Sequence, residues 1–158
     1  MKEVAKHLSE VLEIAMPILR DIDSAEARVP PAPGKWSPIQ LIGHLIDSAN
    51  NNQQKIIRLV RNPEVQFVGY AQDEWVEVQQ YHKAKWTETI EFWMHINRHL
   101  AHLIDHLPSD ALSHAIHIDG VGPFRLDFIV SDYVEHVKHH LLQIDPSMPL
   151  LSKFENVY

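Results

Sequence analysis

Apolar residues recur at helical spacing in four separate stretches of the chain. Polar residues and prolines separate these stretches, so each stretch is predicted to form one helix. The predicted helices cover about residues 2–23, 37–61, 86–107 and 125–144. Four helices of this length predict an all-α fold, namely a four-helix bundle with long connections between helices 2 and 3 and between helices 3 and 4.

Local signals mark the predicted helix ends. Ser37, Pro38 and Gln40 form a capping-box sequence with proline in the first turn, which predicts the start of the second helix. Pro17 is expected to kink or interrupt the first helix, because proline has no amide hydrogen to donate. The proline-rich residues 29–34 predict a rigid loop, and Asp145 before Pro146 predicts the end of the fourth helix.

The connections carry weaker signals. The segment after the second helix is predicted to be a loop with a short helical turn near Asp73–Tyr81. Residues 117–124 (HIDGVGPF) contain turn residues between apolar ones and predict a small hairpin. The tail after the fourth helix contains two prolines and is predicted to lie along the surface.

The composition is typical of one soluble domain. The chain has 158 residues, 45% hydrophobic and 22% charged, which predicts a single domain over residues 1–158. No apolar run is long enough to span a membrane and the N-terminus does not resemble a secretory signal, so we expect a cytoplasmic protein that binds no membrane. The net charge is −7, and Lys55, Arg58 and Arg61 form the densest basic patch, which is typical of a solvated face. Nucleic acid is therefore not an expected partner.

The chain contains twelve histidines and no cysteine. Any metal would need His, Asp or Glu ligands, and any thiol in the chemistry has to come from another molecule. Because histidine is abundant, its placement on the predicted helices is the main question for function.

Three histidines lie close together in the fourth predicted helix. The helical turn of about 100° per residue places His136 and His140 at the edge of the apolar stripe, one turn apart, where both rings can reach one ion. His139 is expected to face water, whereas Asp132 and Gln143 lie on the ligand side and are candidates for orienting ligands or water. Histidine pairs at this spacing are also common on exposed helix faces, so a metal site requires a third ligand.

His44 in the second predicted helix is a candidate for that ligand. It lies roughly 160° from the centre of the apolar stripe of its helix, on a side shared with Ser48 and Asn51. This position excludes a packed core histidine and leaves two alternatives, solvent exposure or the wall of an open cleft beside the fourth helix. Periodicity favours exposure.

The third predicted helix offers a rival set. Its members, here called the histidine ridge, lie far from the apolar side of the helix: His95, His99, His102 and His106. A linear ridge without a carboxylate or a second helix fixes no tetrahedral or octahedral geometry, so solvent exposure or a subunit contact is predicted.

Three motifs, taken in order, resemble those of the DinB-like superfamily and particularly its YfiT-type branch of metal-dependent hydrolases. They are KWSPIQLIGHLIDSAN, NPEVQFVGYAQDEW and EHVKHHLLQI, and the similarity covers about residues 29–144. The resemblance implies a four-helix bundle in which three histidines, carried over by motif as His44, His136 and His140, bind one divalent metal. It also implies a homodimer, with the histidine ridge near the contact.

The resemblance implies two kinds of chemistry. Some relatives are thiol S-transferases that use a low-molecular-weight thiol such as bacillithiol, and others are suspected hydrolases. We expect a divalent transition metal, zinc or nickel, that activates an external thiol against a small-molecule electrophile. The alternative reaction is hydrolysis by activated water, with Asp132 or Glu135 as base. The third hypothesis is a non-catalytic metal- or ligand-binding protein.

Three further residues carry open alternatives, and a fourth has one expected place. Asp47 lies about one turn after His44 and either supports that ligand or is an exposed charge. Tyr70 and Trp75 either wall the substrate pocket or hold their loop against the bundle. Trp36 is expected to pack in the core below the capped end of the second helix.

Overall fold

The computed structural model describes residues 1–157. Its helices are α1 (Lys2–Asp21), α2 (Pro38–Arg61), α3 (Gln72–Gln79), α4 (Trp86–Asp105) and α5 (Leu126–Ile144). Its strands are β1 (Glu64–Phe67), β2 (Ala115–Ile118) and β3 (Val121–Arg125). Short 3-10 turns lie at Glu26–Arg28, Tyr81–Lys83 and Ser109–Ser113. None of the helices within residues 1–157 combines the length and the apolar character that a membrane span requires.

The long helices α1, α2, α4 and α5 form the predicted bundle. Both α1 and α2 pack against α4 and α5. The predicted helix ends differ from the observed ones by about two residues or fewer, which is the usual uncertainty of helix boundaries. Pro17 does not interrupt α1, which continues to Asp21 because the flanking Met16 and Leu19 are buried against the other helices.

A small sheet corrects the strictly all-α prediction. The strand order is β1-β2-β3, with β1 parallel to β2 and β2 antiparallel to β3. The predicted hairpin is confirmed as β2–β3, and the predicted helical turn after the second helix is α3. Strand β1 lies in a segment predicted to be loop. The sequence could not indicate this strand, because its pairing partner Ala115–Ile118 is distant along the chain and leaves no local signal.

Large aromatic side chains with polar atoms join the bundle helices. Trp86 and Tyr133 are among the largest fully buried residues. The Trp86 Nε1–H donates to the Leu19 carbonyl (3.0 Å) and joins α4 to α1. The Tyr133 hydroxyl donates to Asn97 Oδ1 (2.6 Å) and joins α5 to α4. These bonds satisfy polar atoms that would otherwise be costly to bury.

The N-terminal half of α2 contains a continuous stretch of buried residues. The Ser37 N–H donates to Gln40 Oε1 (3.0 Å), which confirms the predicted capping box. All residues from 41 to 49 are buried. The Tyr81 ring lies directly on Gly43, and the Tyr81 hydroxyl donates to Asp47 Oδ1 (2.8 Å), so the segment after α3 is fixed on this part of α2.

We expect Gly43→Ala to lower the free energy of unfolding by about 1–3 kcal/mol, because the added methyl group would overlap the Tyr81 ring and overpack the contact. Alanine gains about 1 kcal/mol of helix propensity over glycine, which offsets part of this loss. Urea unfolding measures the difference. Exposed Gln54→Ala on the same helix is the control and should change stability by less than about 0.5 kcal/mol. A Gly43→Ala protein as stable as the wild type would contradict the close contact.

Candidate metal centre

Facing surfaces of α2 and α5 form the centre. His44 and Ser48 lie one turn apart on α2, and Asp132, His136 and His140 lie at successive turns of α5. Because α2 packs against α5, the two sets of side chains meet across the helix contact.

The three predicted histidines converge on one point. His44 Nε2 lies 3.2 Å from His136 Nε2, and His140 Nε2 lies 3.1 Å from His136 Nε2. The ligand atoms of all three lie within 4.8 Å of one another. Helix α2 thus supplies the third ligand position that the α5 pair lacked.

Neighbouring polar groups orient two of the rings. The His140 Nδ1–H donates to Gln143 Oε1 (2.8 Å), which leaves His140 Nε2 with a free lone pair. His136 Nδ1 lies 3.3 Å from Ser48 Oγ. The Asn52 amide donates to the Ser48 carbonyl (2.9 Å) and is also 3.3 Å from Ser48 Oγ. Gln143 and Ser48 therefore act as orienting partners of the candidate ligands.

His44 is held by packing. It is fully buried, and its ring centroid lies 5.0 Å from that of Trp36. Its Nδ1 is buried and has no hydrogen-bond partner among residues 1–157. Trp36, which was expected in the core, is half-buried and covers this edge of the centre.

Burial lowers the pKa of all three imidazoles. The pKa of His44 falls to about 3, first through burial and second through the nearby His140. Burial lowers the pKa of His140 to about 4, and burial and the neighbouring histidines hold the pKa of His136 well below its ordinary value. The rings are therefore neutral at pH 7, and neutral imidazole is the form that binds metals.

This donor set fits a divalent transition metal. Zinc–nitrogen bonds in a tetrahedral site place ligand nitrogens about 3.3 Å apart, close to the Nε2 separations seen in the cluster. Three neutral nitrogens pointing at one another cannot all be satisfied by hydrogen bonds within the cluster. A cation that accepts their lone pairs would satisfy all three.

A cavity of about 340 Å³ adjoins two of the three histidines, His136 and His140. Helices α2 and α5 supply most of its wall, and the loop before α3, the start of α3, the hairpin and residues after α5 supply the rest. Its lining includes Ser48, Asn52, Lys55, Tyr70, Asp119, Asp132, His136, His139, His140 and Phe154. The volume is at the lower end of the range for small-molecule sites.

Lys55 is a cavity residue that the sequence analysis missed. It was assigned to a solvated face, but it is 5% exposed, whereas Arg58 and Arg61 are exposed as expected. Burial lowers its pKa to about 8, and the charges of Asp132 and Asp119 partly offset this. Lys55 follows His44 by about three helical turns and shares its face of α2, which is a signal the sequence contained.

The expectation that His44 is exposed was wrong. It assumed that the side of α2 opposite its apolar stripe faces water. Helix α2 contacts α3 and α4 as well as α5, and the side that carries His44 faces α5. His44 therefore lies inside the protein at the wall of the cleft, which was the other alternative.

Asp47 does not face the three histidines. It is 2% exposed, so an exposed charge is excluded, and its Oδ1 accepts hydrogen bonds from the Tyr81 hydroxyl and the Gln79 amide. Burial raises the pKa of this carboxyl, and the two hydrogen bonds oppose the rise. Its visible role is to fix α3 and the following turn on α2.

The two candidate bases differ in position. Asp132 lines the cavity. Glu135 instead accepts from Lys138 Nζ (2.5 Å) and from the Lys153 N–H (2.6 Å), and these bonds outweigh burial and lower its pKa. Glu135 is therefore engaged in an ion pair and a backbone contact and is not among the cavity-lining residues, whereas Asp132 lines the cavity and is the candidate base.

His139 does not simply face water. It is half-buried, accepts a hydrogen bond from the Gln143 amide (3.1 Å) and lies 5.3 Å from the Phe154 ring. Among the loop aromatics, Tyr70 lines the cavity. Trp75 is 40% exposed and its ring is tilted against that of Tyr70 with a centroid distance of 4.8 Å, so it supports the wall from outside.

The histidine ridge stays apart from the centre. All four residues are exposed, as predicted. His44, His136 and His140 form the one group of three or more convergent metal-ligand side chains in the described part of the chain. A subunit contact at the ridge remains a prediction.

The family model of the DinB superfamily matches residues 7–144. The chain belongs to the DinB superfamily. This confirms the resemblance drawn from the three motifs. No curated protein matches this superfamily member.

A solved structure supports the fold of this DinB protein. YfiT from Bacillus subtilis, described as a probable metal-dependent hydrolase with an unusual four-helix bundle topology, aligns with a TM-score of 0.83 at 18% sequence identity. The alignment covers 91% of this chain and 83% of that chain. At this identity the likeness shows the bundle topology alone.

The buried neutral histidines predict that the metal-free protein loses stability in acid. A histidine whose folded pKa is lowered contributes stability above its unfolded pKa of about 6.5, and the contribution is lost as pH falls toward the folded pKa. When the pH falls from neutral to about 4, which is the folded pKa of His140, the free energy of unfolding should therefore decrease less in His140→Ala than in the wild type. The difference should be at most about 3 kcal/mol. Urea unfolding at several pH values measures this. Exposed His95→Ala is the control, and an equal pH dependence in both variants would contradict the burial of His140.

Proposed function

We propose that His44, His136 and His140 bind one divalent transition metal, zinc or nickel, and that the protein is a metal-dependent enzyme acting on a small molecule in the adjoining cavity. The convergence of three neutral imidazole nitrogens from two helices carries this proposal. Helix spacing alone accounts for His136 and His140, but it does not require His44 to meet them.

The residues around the centre supply orientation and a shielded space. Gln143 and Ser48 hold His140 and His136 with their Nε2 atoms toward the common point. Trp36 shields His44 on one side, and the cavity opens beside His136 and His140. A metal held by three neutral histidines keeps its full positive charge and lowers the pKa of a bound water or thiol.

For the reaction, we favour S-transfer from an external low-molecular-weight thiol. The thiol loses its proton, its sulfur forms a bond to the electrophilic carbon of the substrate, and the leaving group departs with its electron pair. Asp132 lines the cavity and is the candidate acceptor for the thiol proton. The absence of cysteine is compatible with this assignment, because no internal thiol competes for the metal.

Hydrolysis is the second candidate. It is favoured by the description of the structurally similar YfiT as a probable metal-dependent hydrolase. Here water replaces the thiol as nucleophile, and Asp132 is again the candidate proton acceptor. The cavity and the three histidines serve either reaction, so the nucleophile distinguishes the two.

Purified wild-type protein should contain about one equivalent of metal, and His44→Ala, His136→Ala and His140→Ala should each lose most of it, because two histidines form an incomplete site. Gln143→Ala should weaken metal affinity by roughly 10–100-fold through loss of ring orientation. Elemental analysis and competition with a chromogenic chelator measure both effects. His102→Ala on the histidine ridge is the control. Equal metal in all variants would show that the ligands are wrong.

The metal-loaded protein should turn over a chlorinated aromatic electrophile only when a thiol is present. We expect His136→Ala to abolish this turnover and Asp132→Asn to lower it by about 10²-fold or more, as expected for loss of a proton acceptor. A parallel panel of esters and amides without thiol tests hydrolysis. Turnover in that panel alone would replace S-transfer by hydrolysis, and no turnover in either panel despite bound metal would favour a non-catalytic binding protein.

A further inference from the structure

Residues 151–157, here called the closing segment, lie outside the family match, which ends at residue 144. The segment runs beside α5 and brings Phe154 onto the metal centre. The Phe154 ring lies 5.0 Å from that of His136, nearly perpendicular to it, and 5.3 Å from that of His139. Phe154 and Asn156 both line the cavity.

Hydrogen bonds fix the closing segment on α5. The Ser152 hydroxyl donates to the Glu135 carbonyl (2.9 Å), and the Phe154 N–H donates to Ser152 Oγ (3.1 Å). The Lys153 N–H donates to Glu135 Oε2 (2.6 Å). Glu135 directly precedes His136, so the segment is attached next to a candidate metal ligand.

We propose that Phe154 is a specificity-determining residue, which closes the cavity over His136 and admits only compact ligands to the three-histidine centre. This rests on the proposed metal site and defines the substrate class as small thiols and small electrophiles. The edge contact between Phe154 and His136 is a favourable aromatic geometry, so the ring has a defined resting position. A bulky ligand has to displace the ring, whereas a compact one fits the existing cavity.

The first test compares two thiols of different size on cobalt-loaded protein. Mercaptoethanol and glutathione are titrated, and thiolate-to-cobalt absorption reports binding without turnover. Relative to wild type, Phe154→Ala should strengthen glutathione binding about fivefold or more, which is the scale expected for losing one aromatic contact. It should change mercaptoethanol binding by less than about twofold. Ser152→Ala, which removes two anchoring hydrogen bonds, should shift selectivity in the same direction.

The second test needs no metal. Diethyl pyrocarbonate modifies accessible imidazoles, and mass spectrometry follows the modification of His136 and His139 in the metal-free protein. Both histidines should react several-fold faster in Phe154→Ala and Ser152→Ala than in wild type. Phe128→Ala is the matched control in both tests, since Phe128 is 40% exposed, stacks on Phe124 and lies outside the cavity lining.

The outcomes separate the two proposals. Cobalt binding with unchanged thiol selectivity and unchanged histidine modification overturns the role of Phe154 and leaves the metal site intact. A wild-type protein that binds no cobalt at His44, His136 and His140 overturns the proposed function. In that case the rates of histidine modification still decide whether Phe154 covers His136. Equal rates in wild type and Phe154→Ala would show that it does not.

Discussion

The packing of α2 against α5 is the contact on which the candidate centre depends. It brings His44 from one helix within 3.2 Å of His136 on the other, across a separation of 92 residues in sequence. Neither helix holds three convergent ligands by itself. The centre therefore exists only in the folded bundle, and a shift of α2 against α5 would separate its candidate ligands.

Several features hold α2 in place. Residues 41–49 of α2 are buried on all sides of the helix, so it cannot rotate without exposing apolar side chains. Gly43 allows the Tyr81 ring to lie directly on the helix backbone, and Asp47 fixes that ring through its hydroxyl. Gly43 and Asp47 lie on either side of His44 in the sequence. The packing that fixes α3 and the following turn on α2 therefore also fixes the position of His44, the candidate ligand.

Burying neutral imidazoles has a cost and a chemical consequence. Polar atoms inside the protein need partners, and His44 Nδ1 has none among the described residues. The same burial keeps the rings unprotonated at neutral pH and their lone pairs available. The sheet contributes to the enclosed space as well, because Asp119 beyond β2 accepts from the Gly69 N–H (3.0 Å) and holds the Tyr70 loop over the cavity.

Features that depend on local spacing can be read from the sequence. The four helices, the capping box and the pairing of His136 with His140 all follow from the helical period and from residues a few positions apart. Helix position left His44 open between exposure and the cleft wall, and the resemblance of the motifs selected it as a ligand and gave the family. The burial of His44 and Lys55, the pairing of β1 and the cover provided by Phe154 were decided by tertiary structure. The reason is physical, since a side chain's environment depends on which distant segment packs against its face, and helical periodicity contains no information about that neighbour.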